Sequence, residues 1–425
     1  MKATNLSENW LRRFIPVWVA QAFSLLGSGL VQFALVWWLA KETDSASVLA
    51  LATTAAILPE IVLSPFAGAL VDRWNRKRIM IYADLFVALA TAVLALIFFA
   101  GWIQHWHIYA LMFARALGGL FHWPAMQAST SMMVPDEHLA RVAGINQSLR
   151  GILSIATPPL AALLITFMPI FGILMIDIVT AAIAVTLLFF IHIPQPAAAK
   201  TDGAVTVRSV FSDVAAGFRY MRAWPGMMLL LAMACLVNFV AFPTNTLMPL
   251  LITRHFNGGA WHFSAIESVF GVGVIIGGLL LGVWGGFKNR IYTTLAGLIG
   301  MGLSFVLIAS APGHLFGMAL VGMAAGGMMN VMTNGPLFAI MQAHVEPEIQ
   351  GRVFSMLESM VSAMMPISML IAAPVAEWIG IRGWLLFGAV GCLIIGAGGF
   401  FVPALMNIEE ESRANKAGLL EKENS

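Results

Sequence analysis

This sequence contains few charged residues. Only 10% of its 425 residues are charged, whereas 60% are hydrophobic. A soluble domain usually carries about 25% charged residues, so the composition excludes an ordinary soluble protein. It also excludes a nucleic-acid-binding protein, since no basic face remains once the loops are assigned.

Groups that could carry chemistry are scarce as well. The two cysteines, Cys235 and Cys392, lie inside apolar runs and cannot form a disulfide framework. His105 and His107 share a short loop without further ligands, so we expect no metal site. The sequence has no Gly-x-x-x-x-Gly-Lys loop, which argues against ATP as the energy source. We expect no cofactor, and we do not expect an enzyme, because the charged groups are dispersed.

Long apolar runs are what the chain has instead. Residues 14–40 are interrupted only by Gln21, Gln32 and a few serines. About 20 apolar residues cross the hydrocarbon core of a bilayer, and similar runs recur along the sequence. We therefore predict an all-α membrane protein with twelve transmembrane helices. They begin near Phe14, Val48, Ile79, His107, Val142, Gly172, Pro225, Phe263, Ile291, His314, Val353 and Trp384.

The twelve helices form two six-helix pseudo-repeats. The segment "VPDEHLARV", residues 134–142, recurs as "VEPEIQGRV", residues 345–353, which makes Arg141 and Arg352 counterparts. Such duplicated bundles are typical of secondary transporters. We predict six-helix bundles over residues 1–193 and 225–407. Residues 194–224 form a cytoplasmic linker with an amphipathic helix, and residues 408–425 form a cytoplasmic tail.

The basic residues indicate the orientation in the membrane. Lys41, Arg254 and Arg382 fall in predicted outer loops, and Arg115 and Arg150 fall within spans. The other eighteen of the 23 Lys and Arg residues lie on the side of the N-terminus. Because loops rich in Lys and Arg stay inside, we expect both termini in the cytoplasm.

Five charges are concentrated in "GALVDRWNRKR", residues 68–78. This segment resembles the loop motif Gly-x-Leu-x-Asp-Arg-x-Gly-Arg-Arg/Lys of the major facilitator superfamily, with Asn75 where glycine is usual. A second family motif, Leu-x-x-x-Arg-x-x-x-Gly, is similar to Leu111, Arg115 and Gly119 in the fourth span. The segments "FHWPAMQA" and "LITRHFNG" narrow the resemblance to the macrolide-efflux branch of drug/proton antiporters, which implies a bacterial cytoplasmic membrane.

The resemblance implies that the loop motif forms a cytoplasmic gate. In this role it favours the outward-open state, with Asp72 near the positive N-terminus of the eleventh helix. The neighbouring basic residues would hold acids such as Asp84. A topology anchor is the alternative, and both roles are compatible. The expected gate residues are Gly68, Asp72, Arg73, Arg76, Lys77, Asp84, Arg141 and Arg352.

Ionisable residues inside a membrane are costly and are usually paired or functional. Glu60 lies near the middle of the second span, on a face with Thr53 and Ser64 that can line a cavity. We expect Glu60 to couple transport to protons or to bind a cationic substrate. A structural pair with Arg115 or Arg150 is the alternative.

Three other residues are candidates for proton coupling. Arg115 and His122 lie seven residues apart, hence on one face of the fourth helix, and the resemblance links Arg115 to proton transfer. Histidine side chains in general can exchange protons near neutral pH, although a buried histidine can equally be a structural hydrogen-bonding group. Asp177 in the sixth span is the third candidate. Many related antiporters carry an acid in the first span, where this chain has none.

Uncharged polar groups among apolar ones are expected to line the substrate cavity. This mixture suits a bulky amphiphile better than a sugar or a nucleotide. Adaptable methionines, 26 in the chain, either contribute to such a surface or simply fill the bundle. The candidate cavity residues are Gln21, Gln32, Glu60, Arg150, Asn238, Phe242, Asn245, Asn330 and Asn334.

These patterns and the resemblance to drug/proton antiporters together imply a secondary transporter. It would export a bulky hydrophobic drug, macrolide-like, by proton antiport and alternating access, as a monomer in the lipid bilayer. The alternative within transport is an exporter of an endogenous amphiphile such as a siderophore or a lipid. A membrane receptor that does not transport, or a membrane enzyme, is a more distant alternative.

Overall fold

The fold is helical throughout the part of the chain that the computed structural model describes, residues 10–191, 193, 218–219, 222, 225–345 and 347–408. The helices are joined by short loops. Their bounds are α1 (Trp10–Thr43), α2 (Ala46–Arg73), α3 (Arg76–Phe99), α4 (His105–Met133), α5 (Asp136–Phe167), α6 (Ile170–Phe190), α7 (Pro225–Thr246), α8 (Met248–Arg254), α9 (Ala260–Trp284), α10 (Arg290–Ser310), α11 (Phe316–His344), α12 (Pro347–Ile379), α13 (Ile381–Gly399) and α14 (Pro403–Met406).

Twelve of these helices are long, which confirms the predicted fold class. Within the described ranges, eleven helices are both long and apolar enough to cross a membrane. The remaining long helix is α4, which has 29 residues. Its hydropathy is lowered by polar residues that include Arg115 and His122, which the sequence singles out for function.

Two helices begin earlier in the chain than the apolar spans predicted from the sequence. The helix α5 begins at Asp136, before the apolar run that starts near Val142, because polar residues outside the hydrocarbon continue the helix. His105 and His107, which we expected in a loop, form the start of α4. There the Nδ1 atom of His107 accepts a hydrogen bond of 3.0 Å from the backbone N–H of Gln104.

The helices divide by their contacts into two units. The first unit holds residues 1–205 and 258–268, and the second holds residues 206–257 and 269–425. In the first unit α1 packs on α5 and α6, while α3 packs on α4 and α6. In the second unit α7 packs on α12 and α13, while α10 packs on α11 and α13. The same pairing therefore occurs in both units, as expected for a duplicated bundle.

Two predicted segments lie largely outside the described residues. Of the proposed linker helix within residues 194–224, only Phe218, Arg219 and Arg222 are described, and all three are helical. The proposed tail, residues 408–425, lies outside the described part apart from Ile408.

Glycines allow close packing inside the second unit. A Cβ atom on Gly277 of α9 would lie 2.6 Å from the carbonyl oxygen of Met328 and 2.9 Å from its Cα, both on α11. The next residue, Gly278, has nothing within 4 Å of a corresponding Cβ. Small residues of this kind let transmembrane helices approach until their backbones touch.

This difference gives a test of the α9–α11 contact. We expect Gly277→Ala to destabilise the protein by about 1–3 kcal/mol, because the new methyl group meets backbone atoms that cannot move independently. Gly278→Ala is the matched control, since it gains the same helix propensity without a clash. Thermal unfolding of the two purified variants should show a lower Tm for Gly277→Ala alone. Equal Tm values would mean that the two helices do not approach this closely.

Candidate functional site

A buried ion pair joins α4 to α6. The Nη1 atom of Arg115 donates to the Oδ2 atom of Asp177 at 2.6 Å. The side chain of Arg115 is 11% exposed and that of Asp177 is 3% exposed. An ion pair this short and this buried is weakly screened by salt, and loss of either partner would leave an uncompensated charge.

The same pair reaches two more helices. The Nη2 atom of Arg115 donates to the backbone oxygen of Ser28 on α1 at 3.2 Å, and its Nη1 atom lies 3.3 Å from the Oγ1 atom of Thr91 on α3. The Oγ atom of Ser28 donates in turn to the Oδ1 atom of Asp177 at 3.3 Å. One polar network therefore connects α1, α3, α4 and α6.

A second pair of ionisable groups joins α3 to α4. The Nε2 atom of His122 lies 3.4 Å from the Oδ1 atom of Asp84, but the two groups are too poorly aligned to form a hydrogen bond. Both side chains are mostly buried. We expected Asp84 to contact Arg76 and Lys77. It contacts His122 instead, because it lies on the face of α3 that packs against α4.

The first unit contains a cavity of about 620 Å³. Its walls come from α1, α4 and α5 and from the first two turns of α9, which belong to the first unit by their contacts. A cavity of this size lies within the range of small-molecule sites, about 300–1,000 Å³. The lining residues are Leu25, Gly29, Gln32, Phe33, Val36, Trp123, Arg150, Leu153, Ser154, Thr157, Pro158, Phe263 and Glu267.

Aromatic rings form one wall of this cavity. Phe33 on α1 stacks against Phe263 on α9, with ring centroids 4.7 Å apart, and Trp37 stacks on the same ring at 6.0 Å. The Oγ atom of Ser268 donates to the backbone oxygen of Ile155 on α5 at 2.9 Å, which fixes the start of α9 against α5. The wall is therefore apolar and held in place on both sides.

Arg150 lies where the large cavity meets a smaller one of about 40 Å³. The guanidinium carbon of Arg150 lies 3.7 Å from the centre of the Trp123 ring, a cation–π contact. The smaller cavity reaches His122 and Gln21. The Nε2 atom of Gln21 is buried without a hydrogen-bond partner among the described residues. The volume of the smaller cavity suffices for one water molecule, which occupies about 30 Å³ in the liquid.

The structure brings together some of the predicted cavity residues but not others. Gln32 and Arg150 line the large cavity, while Gln21 and Arg150 line the smaller one. Glu60 is exposed on α2, lines neither cavity and pairs with none of the described side chains. The five candidates of the second unit line neither cavity: Asn238, Phe242, Asn245, Asn330 and Asn334.

The loop motif contacts backbone carbonyl groups. Arg76 donates to the backbone oxygen of Ala128 at 2.9 Å, and Lys77 donates to that of Phe189 at 2.8 Å. Asn75, the departure from the family motif, caps α3, because its Oδ1 atom accepts a hydrogen bond from the backbone N–H of Arg78 at 3.0 Å. Arg141 is exposed. The described part of the structure does not include the side chains of Asp72, Arg73 and Arg352 or the surroundings of Gly68.

Comparison with known proteins settles the family. The sequence profile of the Major Facilitator Superfamily matches residues 17–368. The chain belongs to this superfamily. Its fold agrees, because a bacterial homologue of the iron transporter ferroportin, solved in an inward-facing state, superposes with a TM-score of 0.67. That match covers 91% of this chain and 99% of the other at 14% identity, so it bears on the fold alone.

Two relatives of this major facilitator protein are named as efflux proteins. The Macrolide efflux protein A of Streptococcus pyogenes is 36% identical over 389 residues, which is 91% of this chain and 95% of the relative. The Multidrug efflux pump Tap of Mycolicibacterium fortuitum is 24% identical over 408 residues, which is 91% of this chain and 95% of the relative. This chain is accordingly a multi-pass membrane transporter of small substrates, homologous to efflux proteins.

Sequence reasoning about this major facilitator protein missed Glu267 and Trp123. Glu267 was not among the predicted site residues, since the sequence shows only its distance from the start of the eighth span. The available signal was its spacing of four residues from Phe263, which places both on one face of α9. Trp123 follows His122 directly and carries no signal of its own, because its contact with Arg150 is between two helices.

Proposed function

We propose that this major facilitator protein exports a bulky hydrophobic drug, macrolide-like, across the bacterial cytoplasmic membrane in exchange for protons. The observation that carries the proposal is the large cavity, with its aromatic wall and, among the described residues that line it, two charged ones. The similarity to Macrolide efflux protein A supports the substrate class.

The chemistry of the cavity favours an amphiphile over other substrates. Binding of a phosphate-bearing ligand calls for several basic groups. Arg150 is the one basic residue among the described residues that line the cavity, and it is stacked on Trp123. Leu25, Phe33 and Phe263 can instead cover a large apolar ring system, and Gln32 can form a hydrogen bond to an oxygen of the ligand.

The proton step is assigned to His122 together with Asp84. Histidine is the side chain that exchanges protons most readily between pH 5 and 8. His122 contacts the smaller cavity, which shares Arg150 and Trp123 with the larger one, so a proton can reach it from the substrate side. The Arg115–Asp177 pair is the connection through which a change at α4 passes to α1, α3 and α6. Glu60 lacks contact with either cavity and is the weaker candidate.

The remaining parts of the proposal follow from topology and from the family. Both termini lie in the cytoplasm, transport proceeds by alternating access, and one chain suffices for it. The loop around Arg76 and Lys77 serves as the cytoplasmic gate. Arg76 and Lys77 hold this loop against α4 and the end of α6, which belong to the same unit.

The proposal is tested by drug accumulation in living cells. Bacteria that lack their own macrolide exporters are loaded with a radiolabelled macrolide, with and without this chain. We expect the chain to lower the steady-state accumulation several-fold, and we expect a protonophore to restore it. Accumulation that stays the same with and without the chain would show that macrolides are the wrong substrate class. Export that continues after the protonophore collapses the gradient would contradict proton antiport.

A further inference from the structure

We infer that Glu267 is the group that binds the positively charged amine of the transported drug. The inference rests on the proposed function and deepens it, because it names the part of the substrate that the site recognises and the residue that does so.

Glu267 is a half-buried carboxylate in an apolar setting. It lies two turns into α9 and lines the large cavity, together with Phe263 on the same helix face. None of the described side chains lies within salt-bridge distance of it. A carboxylate among aromatic and aliphatic groups loses hydration, and it regains favourable interactions when a cation enters the cavity.

The other charged residue among the described residues of the cavity wall already interacts with an aromatic ring. Arg150 on α5 holds its guanidinium 3.7 Å from the centre of the Trp123 ring and forms no ion pair with Glu267. Its charge is directed at the face of an indole, which attracts cations. The cavity therefore presents one unpaired negative group and one positive group that is occupied elsewhere, and this arrangement favours a cationic ligand over an anionic one.

The surroundings of Glu267 are fixed and complementary to an amphiphile. Phe263, one helical turn before it, stacks on Phe33, and Ser268, directly after it, is bonded to the backbone of α5. The carboxylate thus stands at the edge of a flat aromatic wall. A drug with an apolar ring and a tertiary amine can place the ring on this wall and the amine beside Glu267.

The test compares two probes on the purified full chain. One is a radiolabelled macrolide with a tertiary amine, and the other is the same macrolide with that nitrogen N-demethylated and acetylated, which removes its charge. For Glu267→Gln we expect the Kd of the amine-bearing probe to rise about ten- to a hundredfold, as for the loss of a hydrogen bond to a charged group. The Kd of the uncharged probe should stay within about twofold of the wild-type value, since the aromatic wall is unchanged.

A matched control removes a carboxylate outside the cavity. Glu42 is exposed in the last turn of α1, and Glu42→Gln should leave both Kd values unchanged. Equal weakening of both probes by Glu267→Gln, or no weakening of either, would overturn the role of Glu267 while leaving macrolide binding intact. Binding of neither probe by the wild type would instead overturn the proposed function, and the inference with it.

Discussion

Arg115→Gln should lower the stability of the folded protein by roughly 3–5 kcal/mol, the usual cost of removing one partner of a buried ion pair. The substitution leaves the carboxylate of Asp177, which is 3% exposed, without its partner at 2.6 Å. It also removes the hydrogen bonds that Arg115 on α4 makes with Ser28 on α1 and Thr91 on α3. Thermal unfolding in mild detergent measures the effect as a large decrease in Tm.

A double variant separates the ion pair from the general effect of substitution. Arg115→Gln combined with Asp177→Asn carries no uncompensated charge, so it should be more stable than either single variant. Lys41→Gln, which changes an exposed basic residue at the end of α1, serves as the control and should leave Tm unchanged. Additive losses in the double variant would contradict the account, because they would mean that the two side chains do not stabilise each other.

His122→Gln should reduce proton-driven macrolide uptake into inverted membrane vesicles by about tenfold or more, because glutamine cannot exchange a proton in the physiological range. Macrolide binding to the purified variant should be retained, since His122 lines the smaller cavity and not the larger one. The two measurements together separate a defect in coupling from a defect in binding.

Glu60→Gln is the informative comparison for this variant. The sequence favours Glu60 as the coupling acid, whereas its exposed position on α2, apart from both cavities, favours His122. We therefore expect Glu60→Gln to retain most of the gradient-driven uptake. Uptake that is lost in Glu60→Gln and retained in His122→Gln would return the coupling function to α2 and contradict the assignment to His122.

The architecture could be predicted from the sequence because it depends on local composition. Runs of about 20 apolar residues specify membrane helices one at a time, and the repeat at residues 134–142 and 345–353 indicates the duplication. The positions of the helix ends were harder to predict from the sequence. Polar residues from Asp136 onward extend α5 beyond the apolar run, and hydropathy alone does not register them as helical.

For the site, the sequence could predict only which residues share a face of one helix. Helical spacing places Asn146, Arg150 and Ser154 on one face of α5, and these residues do lie along the two cavities. Contacts between helices could not be predicted in the same way, because helical periodicity does not show which neighbouring helix packs against a given face. Arg115 could have paired with any acid in a span, and its partner proves to be Asp177.

Proton flux caused by the drug tests the central claim most directly. Inverted vesicles that contain the chain are acidified inside, and the internal pH is followed with a fluorescent dye while a macrolide is added. The account predicts that the macrolide enters the vesicles and that protons leave them faster than in vesicles without the chain. Macrolide entry without any additional proton loss would contradict antiport, and unchanged pH without macrolide entry would contradict the proposed function as a whole.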